Sequence, residues 1–404
     1  MIRLLLPFLC LIFLFQACSP KFKMYKHNVA SRYEPVNHVL LDTRSEGDSL
    51  RIFLQFANAQ QLKGLTAPAV QIVYFVKPNY NDDALLMQDT VRHLQQKTTK
   101  FDDVALLDFT IPKSKLKPQA LLVLQINSFT ASESHLFLDV PLTDELFRKN
   151  YVLRDYSSRR PLFCNYSQST ESFLVDRFGT QLPLVAKQYD VQYDPALPPM
   201  SMAGEQTPPT LKVKQKLPFA PQEPVFLPEQ GLYLLELSDK TQTGMLIEDG
   251  SFPELNTAEE LIEPLIYLTT SDERRKLYQA EDPKMALDNF WLEIAGEKGL
   301  ARQLIRTYYQ RVAAANKLFS SHKAGWKTDR GMIYTVLGVP HEVHRFQNRE
   351  EWIYHGTIRG SAKFIFMKKP NTFTQYHYEL IRDRWFEPVW YSKVEQWRNG
   401  ILER

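Results

Sequence analysis

Between residues 36 and 145, apolar and polar residues alternate in short runs, and this alternation limits the possible folds more than any other part of the 404-residue sequence. Successive side chains of a strand point to opposite faces, so period-two alternation predicts strands with one buried face. Turn-forming residues separate the runs, and no helical pattern competes with them. We therefore predict a β-sandwich over residues 36–145. The runs are residues 38–42, 50–56, 70–76, 104–109, 120–126 and 135–140.

Residues 150–250 predict a second, smaller β domain. Residues 162–166, 181–186 and 231–237 look like strands, but nine prolines lie within residues 195–228. Proline has no backbone N–H and cannot occupy a central strand, so this segment is predicted to be extended or looped. We interpret it as an excursion over its own domain. A docking surface for a partner is the alternative.

Residues 251–404 have a different pattern, which predicts helices followed by strands. Thr270 and Glu273 form a capping-box pattern, and Asp282-Pro283 is a typical helix start. A longer helix follows, with Leu304 and Phe319 among its apolar face. Strands are predicted at residues 332–337, 351–355, 362–367 and 375–380. Helices followed by an antiparallel sheet indicate an α+β domain, so the fold class is multidomain β plus α+β.

The amino terminus predicts export. After Arg3 no charged residue occurs from Leu4 to Phe15, which suits a signal peptide but is too short for a membrane-spanning helix. Ala17-Cys18 at its end resembles a lipobox, so we predict a signal peptide at 1–17 and a lipidated, flexible tether at 18–35. Acyl chains on Cys18 would hold the protein on a membrane. An ordinary secretory signal with an incidental cysteine is the alternative.

The residues after Cys18 bear on the cellular location of the protein. No Asp lies beside Cys18 and no acidic cluster follows it. By analogy with lipoprotein sorting, we expect the periplasm-facing side of the outer membrane, with the cell surface as the second possibility. The order of the domains along the chain would place the two β domains near this membrane and the α+β domain farthest from it.

Composition excludes several classes of protein. Once Cys10 leaves with the signal peptide and Cys18 carries lipid, Cys164 remains alone, so no intramolecular disulfide or thiolate metal cluster is expected. We expect Cys164 to be a buried apolar residue. The net charge of +3 gives no nucleic-acid footprint.

Residues 325–331 read Gly-Trp-Lys-Thr-Asp-Arg-Gly, and Gly338-Val339-Pro340 follows. This segment resembles the signature of the GWxTD-domain family of exported proteins typical of Bacteroidota. The likeness covers roughly residues 255–400 and includes Phe290-Trp291, Trp352 and Trp397. The resemblance implies a lipoprotein or secreted context and a characteristic domain, and it implies no established activity.

Each motif residue has a structural interpretation as a corner between a helix and a strand. Gly325 would end the long helix in a left-handed conformation, and Trp326 would pack beneath the turn. Thr328 and Asp329 would bond nearby backbone amides. The remaining expectations are that Arg330 pairs with Asp329 or with Glu350 or Glu351, that Gly331 leads into a strand at 332–337, and that Gly338 and Pro340 form the exit turn.

The alternative is a site between Asp329 and His344. His341-Glu342-Val343-His344 lacks the H-E-x-x-H spacing that places two imidazoles on one helical face, and no motif for a catalytic nucleophile or a nucleotide occurs. We therefore predict no catalytic residues, no metal and no cofactor. The first hypothesis is a non-enzymatic outer-membrane lipoprotein that binds other outer-membrane proteins or lipoproteins as an accessory subunit of an assembly or secretion complex. The second is a periplasmic enzyme or small-ligand binder with its site near Asp329 and His344.

Overall fold

A computed structural model describes residues 24–34, 39–56, 71–101, 104–127, 135–202, 211–237 and 241–401 of the chain. The predicted signal peptide and Cys18 lie outside these residues.

Two four-stranded antiparallel sheets form the predicted β-sandwich. Their strand orders are β1-β2-β6-β5 and β4-β3-β7-β8. Side chains from both sheets, such as Leu54 and Leu124, are fully buried in one shared core. Each of the six predicted runs forms a strand, and β4 and β5 are additional. The strands are β1 (Val39–Glu46), β2 (Ser49–Phe56), β3 (Gln71–Lys77), β4 (Met87–Val91), β5 (Thr98–Lys100), β6 (Ala105–Pro112), β7 (Leu121–Asn127) and β8 (His135–Pro141).

A short helix, α1 (Asp144–Arg148), leads into a second pair of sheets. Their strand orders are β10-β16-β15-β12-β13 and β14-β11-β9, and buried residues such as Phe173 and Tyr233 join them in one core. The strands are β9 (Tyr151–Asp155), β10 (Tyr166–Gln168), β11 (Ser172–Arg177), β12 (Leu184–Tyr189), β13 (Val213–Phe219), β14 (Val225–Phe226), β15 (Gly231–Glu236) and β16 (Gln242–Glu248).

The proline-rich segment does not simply cover its own domain. Pro218 lies in β13, at the edge of its sheet, where a missing N–H costs no pairing. Upstream, the backbone N–H of Ala196 donates to the carbonyl of Lys327 at 2.9 Å. The predicted excursion over its own domain is therefore wrong in part, because this end packs against the carboxy-terminal domain.

The carboxy-terminal part contains helices followed by an antiparallel sheet of order β17-β18-β19-β20. The Thr270 capping box and the Asp282 cap are both present. The helices are α2 (Ala258–Ile262), α3 (Ser271–Tyr278), α4 (Pro283–Ala295), α5 (Lys298–Phe319), α6 (Asp329–Leu337) and α7 (Glu387–Arg398). The strands are β17 (Glu342–Arg345), β18 (Arg349–Thr357), β19 (Gly360–Lys368) and β20 (Tyr378–Leu380).

The strand predicted at residues 332–337 is instead part of helix α6. All nine residues of α6 are buried, so the polar positions that reveal a helical period are missing from the sequence. The motif is therefore a corner between two helices, and the predicted helix-to-strand corner is wrong.

Residues 24–34 also differ from the prediction of a flexible tether. Met24 is fully buried, and the N–H of Val29 donates to the carbonyl of Val343 in β17 at 2.9 Å. Asn28 accepts a hydrogen bond from the N–H of Val343 at 3.0 Å. We call residues 24–34 the amino-terminal strap, since they pack along β17 and join the core of the carboxy-terminal domain.

Candidate functional site

The two motif glycines allow the backbone to turn back on itself after α5. A Cβ on Gly325 would lie 2.0 Å from the carbonyl oxygen of Ala315, and a Cβ on Gly331 would lie 1.8 Å from that of Gly325. Both distances are far shorter than a Cβ atom can approach another heavy atom, so only glycine fits at either position. The prediction that Gly325 ends the helix in a left-handed conformation is wrong, because α5 ends at Phe319 and Gly325 begins a 3₁₀ turn. These glycines are required by the close approach of backbones.

Trp326 and Thr328 hold this turn in place. The backbone N–H of Trp326 donates to Oδ1 of Asn316 at 3.1 Å, and its carbonyl accepts from the Tyr267 hydroxyl at 3.0 Å. Thr328 is the N-cap of α6, where its hydroxyl oxygen accepts from the N–H of Gly331 at 3.1 Å and donates to the carbonyl of Gly325 at 2.7 Å. An N-cap of this kind contributes about 1 kcal/mol.

Asn316 is a structural residue that sequence reasoning missed. It is fully buried in α5, and its Nδ2 donates to the carbonyl of Pro253 at 2.9 Å. The available signal was an amide on the apolar face of the helix, since a buried polar group needs partners.

Asp329, the first residue of α6, connects the corner to the end of the sheet. Its side chain is nearly fully buried and accepts a hydrogen bond from the N–H of Leu380 at 2.7 Å. It also forms an ion pair with Arg382, whose Nη2 donates to the carbonyl of Leu197 at 3.2 Å. Asp329 thereby links α6, β20 and the proline-rich segment, and its charge suits the amino end of a helix.

Arg330 pairs with Glu350 in β18. Its Nη1 lies 3.4 Å from Oε2 of Glu350, and its Nη2 donates to the carbonyl of Tyr376 at 3.0 Å. The guanidinium carbon lies 4.2 Å from the centre of the Tyr378 ring, which adds a cation–π contact.

Glu350 is the centre of a buried polar cluster. It is 1% exposed and accepts hydrogen bonds from the Tyr33 hydroxyl at 2.9 Å and from Nε1 of Trp352 at 3.2 Å. Burial raises the pKa of Glu350, but Arg330 and Arg345 outweigh burial and hold this pKa below its ordinary value. The carboxylate is therefore ionised and paired in the folded protein.

Arg345 connects Glu350 to the sandwich. Its Nε lies 3.1 Å from Oε1 of Glu350, and its Nη1 lies 2.7 Å from Oδ1 of Asp139 in β8. Arg32 of the amino-terminal strap and the hydroxyl of Tyr80 also bond Asp139. We call Arg32, Asp139, Arg330, Arg345 and Glu350 the buried charge network. It joins the strap, the sandwich and the motif helix.

Gly338 and Pro340 lie at the other end of α6, where the chain leaves for β17. Gly338 has φ +86°, and its carbonyl accepts from the Tyr354 hydroxyl at 2.8 Å. A Cβ at Gly338 would lie 2.9 Å from the guanidinium carbon of Arg311. Pro340 is buried just before the strand.

Asp329 begins α6 and His341 lies beyond the opposite end of this helix, whose nine residues span about 13 Å, so the structure does not bring these two residues together. His341 instead accepts from the N–H of His355 at 3.3 Å, and Glu342 lies within hydrogen-bonding distance of His344 (3.0 Å) and His355 (2.8 Å). Within the described residues, no group of three or more His, Cys, Asp or Glu side chains has a geometry that would hold a metal ion.

We expect Asp329→Asn to destabilise the protein by about 2 kcal/mol, because the change removes the charge that neutralises the partly buried Arg382. His341→Ala should change the free energy of unfolding by less than about 0.5 kcal/mol, since His341 is exposed. Urea unfolding of both variants, followed by tryptophan fluorescence, measures the difference. Equal stability of the two variants would contradict a structural role for Asp329.

His322 lies just after α5 and is 3% exposed. Its ring packs edge-on against Tyr193 of the proline-rich segment at 4.6 Å and against His377 at 4.9 Å. Burial, with the nearby charges of His377 and Lys323, lowers the pKa of His322 from its ordinary 6.5 to about 3. His322 is therefore neutral in the folded protein at neutral pH.

The stability of the protein should consequently fall as the pH is lowered from about 6.5 toward 3. In this range the unfolded chain binds a proton at position 322 and the folded chain does not, which gives a slope of up to about 1.4 kcal/mol per pH unit. His322→Gln should remove this part of the slope. Asn371→Ala, which removes an amide 3.4 Å from Nδ1 of His322, should keep a slope of the same sign, because the buried imidazole is still present. Urea unfolding over a pH series tests both.

The fold and site together define a β-rich protein with several antiparallel sheets and a carboxy-terminal α+β domain built around a helix–helix corner. Residues 231–399 match the family model described as the GWxTD domain, so the chain carries a GWxTD domain. This range begins before the predicted likeness and includes strands β15 and β16. A comparison with curated proteins found no match.

Two solved structures are similar over part of the chain. The mouse nectin-like molecule 4 ectodomain (Ig1–Ig3) is 9% identical with a TM-score of 0.15, and the match covers 53% of this chain and 64% of that one. A marsupial T cell receptor is 10% identical with a TM-score of 0.16, and the match covers 54% of this chain and 75% of that one.

The described residues also bear on two predictions made from the sequence, that of no further membrane-spanning segment and that of a buried Cys164. None of their helices has both the length and the apolar character needed to cross a bilayer. Cys164, predicted to be a buried apolar residue, is a free cysteine of intermediate exposure, and desolvation raises the pKa of its thiol to about 11.

Proposed function

We propose that this protein is a non-enzymatic lipoprotein of the outer membrane that binds other envelope proteins as an accessory subunit of an assembly or secretion complex. The observation that carries the proposal is the buried charge network, which ties the strap, the sandwich and the GWxTD domain to one another. Such a body would hold binding surfaces at fixed distances from the membrane.

The motif supports a structural role for the GWxTD domain. Thr328 is engaged as a helix cap, Asp329 bonds Arg382 and a backbone N–H, and Arg330 bonds Glu350 and a backbone carbonyl. The polar side chains of the motif are thus held by partners within the fold. In this proposal the residues of the motif build the domain, and recognition takes place elsewhere on the surface.

The proposed anchor is the acylated Cys18. Two or three acyl chains bury enough methylene groups, at about 0.8 kcal/mol each, to make release from a membrane negligible. The second β domain offers surfaces for proteins, since Tyr156, Phe178 and Phe226 are between 43% and 47% exposed. Aromatic side chains are enriched in protein interfaces.

Mass spectrometry and crosslinking in native envelopes test both parts of the proposal. We expect the mature protein to begin at an acylated Cys18, and the Cys18→Ser variant to carry no acyl chain and to keep the signal peptide uncleaved. After crosslinking and detergent extraction, the acylated protein should migrate with a partner in a fixed ratio, and the same partner should be recovered without crosslinker. An acylated protein that migrates as a monomer under both conditions would show that the proposed accessory role is wrong.

A further inference from the structure

The strap enters the folded protein at one end of the carboxy-terminal sheet. Nδ2 of Asn28 donates to the carbonyl of His341 at 2.8 Å, just before β17, and the His27 ring lies 4.7 Å from the Phe137 ring of the sandwich. Farther along, Arg32 and Tyr33 reach Asp139 and Glu350 near the opposite end of β17. The strap therefore runs inward from the His341 end of the sheet.

The turn between β18 and β19 lies at this same end. The His341 and His355 rings are 5.4 Å apart, and His355 is followed two residues later by the end of β18. Ile358 and Arg359 form the turn itself, about 10 Å beyond His355 along the strand. Residues 357–360 are called the hairpin tip below.

The hairpin tip combines apolar and basic groups. Ile358 is 68% exposed, and the Arg359 guanidinium carbon lies 5.5 Å from the centre of the Trp385 ring, which is 39% exposed. Arg384 is exposed next to Trp385 in sequence, while Lys363 in β19 pairs with Glu351. A single exposed isoleucine on a surface is ordinary. An exposed isoleucine followed by an arginine that lies over a tryptophan ring, with a second arginine next to that tryptophan in sequence, suits the boundary between acyl chains and anionic headgroups.

The length of chain before the strap limits how far this end can lie from a lipidated Cys18. Six residue steps separate Cys18 from the buried Met24, and a fully extended chain covers about 20 Å over that number. Acylation of Cys18 would therefore keep Met24 within about 20 Å of the acyl chains. A long flexible tether would let the folded domains take any orientation to the membrane. Because the strap is docked from Met24 onward, only the few residues before it can act as a tether, and the strap entrance must stay near the membrane.

We propose that the hairpin tip, with Ile358, Arg359 and Trp385, rests on the phospholipid surface when Cys18 is acylated. The carboxy-terminal α+β domain then lies next to the membrane, and the second β domain, with β15 and β16, projects away from it. This order is the reverse of the order expected from the sequence alone. The inference rests on the proposed acylation of Cys18.

Tryptophan fluorescence provides a direct test, because Trp385 alone among the six tryptophans is exposed and the other five are at most 5% exposed. The acylated full-length protein is placed on vesicles of phosphatidylethanolamine and phosphatidylglycerol whose acyl chains are brominated. We expect the bromines to quench part of the emission, and we expect Trp385→Phe to abolish this quenching. Emission that is unchanged by bromination, in protein that floats with the vesicles, would overturn the proposal.

A second measurement uses a matched pair of labelled positions. In a Cys164→Ser background, an environment-sensitive dye is attached through Ile358→Cys or through Phe226→Cys, which replaces a residue 47% exposed in β14. On vesicles, the emission at position 358 should shift to the blue and that at position 226 should not. A shift at neither position, or only at position 226, would mean that the tip faces water or a protein, and the proposal would be wrong.

Failure of acylation can be separated from failure of the orientation. If Cys18 carries no lipid in envelopes, the proposed anchor is wrong. The chain from residue 18 onward, with Cys164→Ser, is then coupled through the Cys18 thiol to a maleimide phospholipid and tested by quenching of Trp385. If Trp385 is quenched in this coupled protein, the hairpin tip contacts the phospholipid surface even though the natural anchor is absent. If Trp385 is not quenched, the proposed contact of the tip with phospholipid is wrong, independently of the anchor.

Discussion

Gly331→Ala is expected to prevent stable folding, with a loss of more than about 4 kcal/mol in the free energy of unfolding. The added Cβ would lie 1.8 Å from the carbonyl oxygen of Gly325 and 3.0 Å from the Cα of Trp326. Both are backbone atoms inside a buried corner, so no flexible side chain can move aside to relieve the clash. Urea unfolding monitored by tryptophan fluorescence, or loss of soluble protein, reports the effect.

Gly299→Ala is the matched control. Gly299 lies in the first turn of α5, and a Cβ there would come no closer than 3.6 Å to Oε1 of Glu297. Alanine favours a helix over glycine by up to about 1 kcal/mol, so this variant should be as stable as the parent or slightly more stable. If Gly331→Ala proved as stable as Gly299→Ala, the close approach of the two backbone segments would be wrong.

Glu350→Gln should destabilise the protein by about 3–5 kcal/mol, because it removes one partner from a buried ion-pair network and leaves Arg330 and Arg345 undercompensated. Glu351→Gln is the control, since the neighbouring carboxylate pairs with Arg349 and Lys363 on the solvent-facing side of the sheet. The cations of these two pairs are 37% and 51% exposed, and pairs with a solvated partner at the surface contribute about 0–1 kcal/mol. Equal losses in the two variants would show that burial of the network does not matter.

The buried Glu350 carboxylate should also make the stability of the protein depend on pH. The pKa of Glu350 is lowered from its ordinary 4.5, so its stabilising contribution is fully present above about pH 4.5 and is lost as the pH falls through the folded-state pKa. Glu350→Gln should therefore lose less stability than the parent when the pH is lowered below 4.5. Identical pH profiles for the variant and the parent would argue against an ionised, paired carboxylate.

The sandwich could be predicted from sequence because its longer strands place apolar residues at every second position of the face that forms its core. Leu50, Ile52 and Leu54 illustrate this period in β2. The short strands β4 and β5 could not be predicted, since they carry mostly polar residues at the edges of their sheets. Alternation of apolar and polar residues reveals a strand only when one of its faces is buried, and β4 and β5 are buried very little.

The sequence was sufficient to predict which residues form the candidate site, but it was not sufficient to predict the elements on which they lie or their partners. The sequence pointed to Trp326, Thr328 and Asp329 as a packed turn, but a fully buried α6 carries no periodicity that separates a helix from a strand. The pairing of Arg330 with Glu350 was one of several possibilities allowed by the sequence. The contribution of Asp139 and Arg32 was not foreseeable, because contacts between distant segments leave no local signal.

The strap also imposes an order on the maturation of the chain. Tyr33 reaches Glu350 across 317 positions, and Val29 bonds a strand that begins at Glu342. The residues that are synthesised first can therefore dock only after the last third of the polypeptide has emerged and its sheet has formed. Contacts with so large a sequence separation form slowly. Until then the strap cannot take its place along β17, and the hydrogen-bonding groups that it will use remain open to water.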